Sequence, residues 1–519
     1  MAAFVIRNRW LALVMAAVVA ATVALVVARD GATARSDRGY GHVHPIEPEG
    51  MGARHGVWHD GVSPDPTGRA GAGGLAVAHR FGGVPVRSRA VIANGPKTRL
   101  FRTGYDAWEP TMGVTEKGVF FNPAGGDAYL VVRSTDDGKS WEEVFGGHFF
   151  SADPYMFVDQ DTDRVFVNDY VPPCHLVSFS DDEGKTWTSA PPAGCYNNAD
   201  HQTLFAGPPP KGGAEPSGYE NVVYLCSMGG GASVASVVSL CSKSLDGGMT
   251  FVPTGAPAFN DDPRYVGDLG IPSRCNGANA HGFVGRDGTV YLPRGWCGQP
   301  WLAMSHDEGT TWTRVQVSDI GMSCCGRATG DPALDEHATI PSHEAGVVAD
   351  AKGNIFYTWV AFDRRPYLSV SRDGGESWSK PQMIGPPAVN EANLPGIAIG
   401  PNGGLVVRYL ATENSPWNGE EVDGDYDNTA WNAYLTVIAD PLAKNPVLYT
   451  ATVNDPSEPL WVGECGPDPI RCGWGDFQDV VIGNDGEVWS VDVDLCADKK
   501  NECSQTETII GHLVGGPKL

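Results

Sequence analysis

The sequence predicts an all-β protein built from repeated strand–turn–strand units. Three observations predict it. Gly (66) and Pro (39) make up about one residue in five of the 519, well above ordinary usage. Trp is abundant at 15, while charged residues are only 19%. Above all, one eight-residue pattern, Ser-x-Asp-x-Gly-x-x-Trp, recurs along the chain, and a repeat at a spacing of some tens of residues signals a repeat architecture.

The same composition excludes other classes. A helical bundle needs Ala, Glu, Lys and Leu at helical spacing, which is missing here. Lys and Arg total 37 against 62 Asp and Glu, a net charge of −25. Phosphate contacts need clustered cations, so nucleic acid is not an expected partner. The 42% hydrophobic content suffices for a large core and excludes wholesale disorder.

In chain order, the first element is residues 1–28. Arg7 and Arg9 precede an uninterrupted apolar run from Trp10 to Ala28, the pattern of an export signal. The run is also long enough to span a bilayer. Two readings stand: an uncleaved anchor at residues 10–28, or a long signal cleaved near Ala32-Thr33-Ala34. Either places the rest of the chain outside the cell or at its surface, with membrane contact only through this segment. Residues 29–84 read as a flexible linker, rich in Gly, Pro, Ala and Arg without periodicity. It holds five histidines (His42, His44, His55, His59 and His79), and a spacer is a simpler reading than a metal-binding tail.

Residues 85–519 hold the repeats. The pattern occurs at Ser134–Trp141, Ser180–Trp187, Ser244–Phe251 (Phe for Trp), Ser305–Trp312 and Ser371–Trp378. Its physics is that of a hairpin turn. The carboxylates of Asp136, Asp182, Asp246, Asp307 and Asp373 can accept backbone N–H groups. The Gly supplies a positive φ, and the Trp returns as a packing plate.

These five copies resemble the Asp-box, or bacterial neuraminidase repeat, of the sialidase superfamily of β-propellers. The resemblance implies a β-propeller. It places each box between the third and fourth strands of a blade, on the face away from the active site. It also implies an exo-α-sialidase-like glycoside hydrolase.

Apolar strands with polar starts give the blade count. They begin at Glu109, Asp153, His201, His281, His343, Asn393 and Asp476. Seven units predict seven blades, with six, the number familiar in sialidases, as the alternative. The ring must close to hide its edges, and the strand near Val84–Ile92 is expected to complete the seventh blade. All twelve cysteines follow residue 173. The close pairs Cys174/Cys195, Cys226/Cys241, Cys275/Cys297, Cys465/Cys472 and Cys496/Cys503, with adjacent Cys324 and Cys325, suit local disulfides in an oxidising compartment. Zinc is the weaker reading, since no CxxC pair is present.

In the family the first strand of each blade lines the channel, and its start faces the active-site funnel. Here those starts carry acids, imidazoles and an amide. Paired carboxylates, Glu109 and Asp476 with Glu344, are the candidates for hydrolysis. His201, His281, His343, Asn393, Arg294, Arg364 and Trp296 are the candidates to hold substrate. The family grips a substrate carboxylate with three Arg, because bidentate pairing suits that task. The family's Arg-Ile-Pro position reads Trp108-Glu109-Pro110 here, and neither an Arg triad nor a Tyr nucleophile is assignable. A re-assembled cluster of Arg294, Arg364 and Arg365 competes with a plain salt-bridge role. No cofactor is required. Asp423, Asp425 and Asp427 alternate as in a calcium loop, with a solvated acidic loop as the alternative. Two functions follow: an enzyme acting on extracellular carbohydrate, or a non-catalytic propeller binding a glycan or partner protein.

Overall fold

Strands with alternating or fully apolar patterns pair in sequence order into small antiparallel sheets. The computed structural model describes residues 69–519 apart from 125–129, 146–150, 152, 197–198, 230–237, 261–277, 297–298, 323–344, 419–422, 464–474, 476 and 498–505. Among the described residues the strands form seven sheets. Their first strands are Ala107–Val114, Tyr155–Asp159, Asp200–Gly207, Phe283–Val284, Ala345–Ala349, Glu391–Ile399 and Val480–Ile482. These define blades one to seven. Each first strand packs against those of its two neighbours, and that of blade seven packs against that of blade one. The result is an all-β propeller, its first strands lining a central channel. All described residues fall within one compact unit.

The core lies between blades. Phe205 and Tyr224 of blade three, for example, pack with Val290 and Leu292 of blade four. Burying such side chains contributes about 1.5–3 kcal/mol each.

The ring closes by sharing blade seven between the two ends of the chain. Val480–Ile482, Val488–Asp494 and Glu507–Val514 are followed across the sheet by Lys97–Arg102, and then by Arg69–Leu75. This differs from expectation in two ways. The closing strand is Lys97–Arg102, because Arg89–Ala93 forms a short helix. The linker also ends sooner: Arg69–Leu75 edges blade seven, while Val77–Arg80 edges blade six. His79, counted in the spacer, is buried, and its Nε2 lies 2.8 Å from the Thr450 hydroxyl.

The five box turns share one geometry. In each, the Ser hydroxyl donates to the Asp carboxylate at 2.7–2.9 Å. Further carboxylate bonds come from the residue four positions after the Asp: Ser140, Thr186, Thr250, Thr311 and Ser377 donate backbone N–H groups at 2.8–2.9 Å. Their hydroxyls donate to the second carboxylate oxygen. The box glycines have φ between 77° and 92°, in the left-handed region. A side chain there would also strike the preceding blade. A Cβ on Gly138 would meet Phe101 of blade seven, and one on Gly184 would meet Val144 of blade one. Each box is thus a turn and an interblade contact at once.

Two disulfides join the predicted partners, Cys174–Cys195 and Cys226–Cys241. Cys496 is also disulfide-bonded, while Cys275, Cys297, Cys324, Cys325, Cys465, Cys472 and Cys503 lie outside the described residues.

Candidate functional site at the channel mouth

The residues around the starts of the first strands meet at one end of the channel. Three of these strands carry a bulge there. Register shifts fall between Ala107 and Thr111, between Asp200 and Thr203, and between Asn393 and Gly396. An extra residue in a strand bends it and re-aims side chains. His201 and Leu394 take φ of 46° and 47° in these bulges, a conformation that costs a non-glycine residue about 1–3 kcal/mol. The bulged segments contain Glu109, His201 and Asn393, three of the candidates read from sequence.

The floor of the mouth is a tripeptide just before the first strand of blade seven. Phe477 is 1% exposed. Its ring lies 5.7 Å from Tyr155 of blade two, 5.7 Å from His201 of blade three and 5.6 Å from His281, ahead of blade four. The Gln478 side-chain oxygen accepts from Nη2 of Arg408 in blade six. Asp479 Oδ2 accepts the Met112 N–H of blade one at 3.2 Å, and its Oδ1 lies 3.3 Å from His281 Nδ1. Three consecutive residues therefore tie five other blades to the seventh.

His281 Nδ1 is also 3.1 Å from the Tyr155 hydroxyl. Tyr, His and Asp thus converge on one ring nitrogen. Such a set can hold or pass a proton.

Arg408 is fully buried. It donates from Nε to Asp492 Oδ1 at 2.7 Å and from Nη1 to the Leu394 carbonyl at 2.9 Å. Arg cannot accept a hydrogen bond, so it fixes which end of the Gln478 amide faces it. The Gln478 Nε2 that remains is buried without a partner among the described residues. A cavity of ≈ 70 Å³ is lined by His281, Gly346, Gly396, Gln478 and Asp479, among others. It is wide enough to admit water.

Trp108 and Glu109 stand in the bulge of blade one. Trp108 is 36% exposed, and its indole N–H donates to Glu109 Oε1 at 3.0 Å. Glu109 packs on the backbone at Gly475, two residues before Phe477.

The other candidates fall elsewhere. Arg294 is fully buried, donating to the Ser239 hydroxyl at 2.7 Å, with the Phe259 ring 5.4 Å away. Trp296 is buried between Phe259 and Trp301. Both were candidates to hold substrate, but the second strand of blade four extends through Trp296 and draws them into the core. Arg364 pairs with buried Glu391 at 2.7 Å, and its guanidinium lies 3.9 Å from the Trp417 ring centre. The Tyr426 hydroxyl accepts from Arg364 and donates to Glu391. Burial, then the charge of Glu391, pushes the Tyr426 hydroxyl up and keeps its proton in place for that bond. This network ties Arg364 to the insertion of blade six, the salt-bridge role that competed in the sequence with an Arg cluster. Asp476, Glu344 and His343 lie outside the described residues. Asp423, Asp425 and Asp427 are exposed. Among the described residues no group of three or more His, Cys, Asp or Glu side chains is arranged to hold a metal.

Sequence reasoning missed Trp108, Tyr155, Phe477 and Asp479 as members of the site. Trp108 and Phe477 stand next to predicted positions, and their aromatic character was the available signal.

No family model and no curated protein matches the chain. Solved structures do. A protein of unknown function from Dyadobacter fermentans is 14% identical, over 79% of this chain and 94% of that one, with a TM-score of 0.39. A mutant α-L-arabinofuranosidase from Fusarium graminearum, in complex with an iminosugar inhibitor, is 12% identical, over 76% and 95%, at 0.32. A Trypanosoma rangeli sialidase in complex with sialic acid is 12% identical, over 78% of this chain and 59% of the sialidase, at 0.36.

Proposed function

We propose that this protein is a carbohydrate-recognising propeller of the sialidase superfamily, working outside the cell and reading saccharide at its channel mouth. The observation that carries this reading is the exposed Trp108, whose indole N–H is bonded to Glu109. An aromatic face next to a fixed hydrogen-bonding group is what a sugar ring with its hydroxyls requires. The two disulfides and the apolar N-terminal run support export, either anchored or released. The expected substrate differs from a sialoside. Arg364 and Arg408 are already matched by carboxylates, and Glu109 would repel a substrate carboxylate.

A second reading is glycoside hydrolysis. It is favoured by the Tyr155–His281–Asp479 contact, which could move a proton beside bound sugar. Glu109 would be the carboxyl on the other side, with Asp476 and Glu344 retained as candidates. Calcium at Asp423, Asp425 and Asp427 is a separate proposal.

A glycan array together with fluorogenic sialosides and neutral glycosides, each with and without chelator, tests these readings. Array binding without turnover supports recognition alone. Turnover lost in His281→Ala supports hydrolysis. Loss of either signal on chelation supports the calcium site. An array with no bound glycan and no turnover overturns the carbohydrate reading.

A further inference from the structure

We propose that one end of the propeller docks on an anionic lipid surface, through Arg87, Arg89 and Lys97 with the aliphatic side chains of Val84 and Ile92 beside them. This is a second membrane contact, distinct from the apolar run at residues 10–28. It stands independently of the carbohydrate reading.

The first observation is charge. Between Ala76 and Tyr105 the chain carries Arg80, Arg87, Arg89, Lys97, Arg99 and Arg102 and no Asp or Glu, in a protein of net charge −25. Some of these cations are engaged. Arg80 donates to the carbonyls of Asn445 and Pro446. Arg102 is matched by Asp494 and Glu507, and Arg99 lies in the field of Glu487. Arg87, Arg89 and Lys97 are exposed and form no ion pair among the described residues. The second observation is apolar exposure. Val84 is 57% exposed and Ile92 46%. The short helix Arg89–Ala93 buries none of its residues, so packing does not account for its aliphatic side chains. The adjoining cleft, lined by Ala93, Lys97, Tyr449, Val514 and Pro517 among others, has no carboxylate in its wall.

The third observation is placement. Lys97 pairs with Val514, Leu513 with Val488, and Val488 with Ile482, the last residue of blade seven's first strand. His79 pairs with Leu448, which leads through Ile438 and Leu405 to Ile399, the last residue of blade six's first strand. First strands begin at the mouth, so residues 81–96 emerge at the opposite end. The box turns share that end, since Ser134 pairs with Val119 and Val119 with Val114, the last residue of blade one's first strand. A molecule docked there holds its mouth away from the bilayer.

An anionic bilayer supplies what both kinds of side chain require. Its phosphates take charge-assisted hydrogen bonds from guanidinium and ammonium groups, and its acyl boundary takes the aliphatic side chains. A soluble polyanion supplies only the first. Each cation near such a surface strengthens binding about fivefold. The acidic remainder of the protein does not cancel this, because at physiological salt the field of an exposed charge is screened beyond about 8 Å.

The test mixes the full chain with liposomes of phosphatidylcholine, alone or with phosphatidylglycerol added. It reads hydrogen exchange of the amides in residues 84–95 by mass spectrometry. The apolar N-terminal run is common to both arms, so their difference reports the patch. Exchange is expected to slow at least about fivefold on the anionic liposomes. It should return to its free rate at about 1 M salt, where the screening length falls to about 3 Å. Arg87→Glu with Arg89→Glu and Lys97→Glu should abolish the slowing, and Val84→Ser with Ile92→Ser should weaken it. Both should keep the melting temperature, since all five side chains are exposed. Should the charge reversal fail to fold, Arg87→Gln with Arg89→Gln is expected to reduce the slowing. Equal exchange on neutral and anionic liposomes overturns the proposal. So does slowing that survives high salt or the charge-changing variants. Inorganic polyphosphate replaces the liposomes in a last arm. Equal slowing there, indifferent to Val84→Ser with Ile92→Ser, makes a soluble polyanion the occupant and overturns the lipid surface.

Discussion

The two ends of the channel are built on opposite principles. At the box end the same turn appears five times, with the same hydrogen bonds to within about 0.2 Å. Every copy closes its own turn and seats a glycine on the blade before it. At the mouth nothing repeats. Among the described residues, bulges fall on the first strands of blades one, three and six, His201 and Leu394 within them sit in left-handed backbone, and one tripeptide reaches across to five blades. Repetition marks what every blade needs in order to stack. Departure from it marks what one molecule needs for one task. Yet the mouth has two layers: a floor that holds the ring together and a rim that does not.

Substitutions can break or sharpen that division. The largest effect is expected in the floor. Arg408→Leu strands a fully buried Asp492 and frees Gln478, and should cost about 3–5 kcal/mol in denaturant unfolding. A loss below about 1 kcal/mol would mean that the floor is not structural.

Next comes the box end. Gly184→Ala forces a Cβ into backbone with φ of 77° and to within 2.7 Å of Val144. It should cost about 1–3 kcal/mol and leave glycan binding intact. Binding lost at full stability would show that the box end also carries function.

A pH titration of stability sharpens the contrast further. His175 is almost wholly buried, and burial lowers its pKa from 6.5 to about 3. It is neutral in the fold, whereas the unfolded chain takes up a proton below 6.5. Its contribution is therefore full above that pH and is lost as the pH falls towards 3, at about 1.4 kcal/mol per unit. In His175→Phe the slope of unfolding free energy over this window should drop by about one proton. An unchanged slope would place the titration elsewhere. The box carboxylates act lower: hydrogen bonds from Thr186 to Asp182, first from its backbone and then from its hydroxyl, hold that carboxyl below its usual range. Their share should fade only as the pH drops below about 3.9.

The smallest stability change belongs to the rim. Trp108→Phe should shift unfolding by less than about 0.5 kcal/mol, even though it touches the residue on which the proposed ligand depends. A large loss would join rim to floor.

This division also explains what the sequence disclosed. The box turns were legible because one local pattern contains the whole cause: the Asp, its donors and the glycine lie within eight residues. The first-strand starts were legible for the same reason, and Glu109, His201 and Asn393 do stand in the bulges. The floor was not legible, because Phe477 meets Tyr155, His201 and His281 only once blades two, three and four have stacked. Arg294 and Arg364 looked open because burial and ion pairing with distant residues leave no trace beside them in the chain. The short helix at Arg89–Ala93 displaced the closing strand to Lys97–Arg102, since the apolar run Ala90–Ala93 suits a helix and a strand alike.

The shared blade has a kinetic meaning. Lys97–Arg102 pairs with Ile509–Val514, so an early strand must await a partner at the far end of the chain. Until Ile509–Val514 have left the ribosome, this edge has no hydrogen-bonding partner in the ring. Such non-local pairing is slow and leaves strand edges open to other chains. The seam is thus the step at which an emerging molecule is most exposed to aggregation, and removal of Ile509–Val514 would leave a ring that cannot shut.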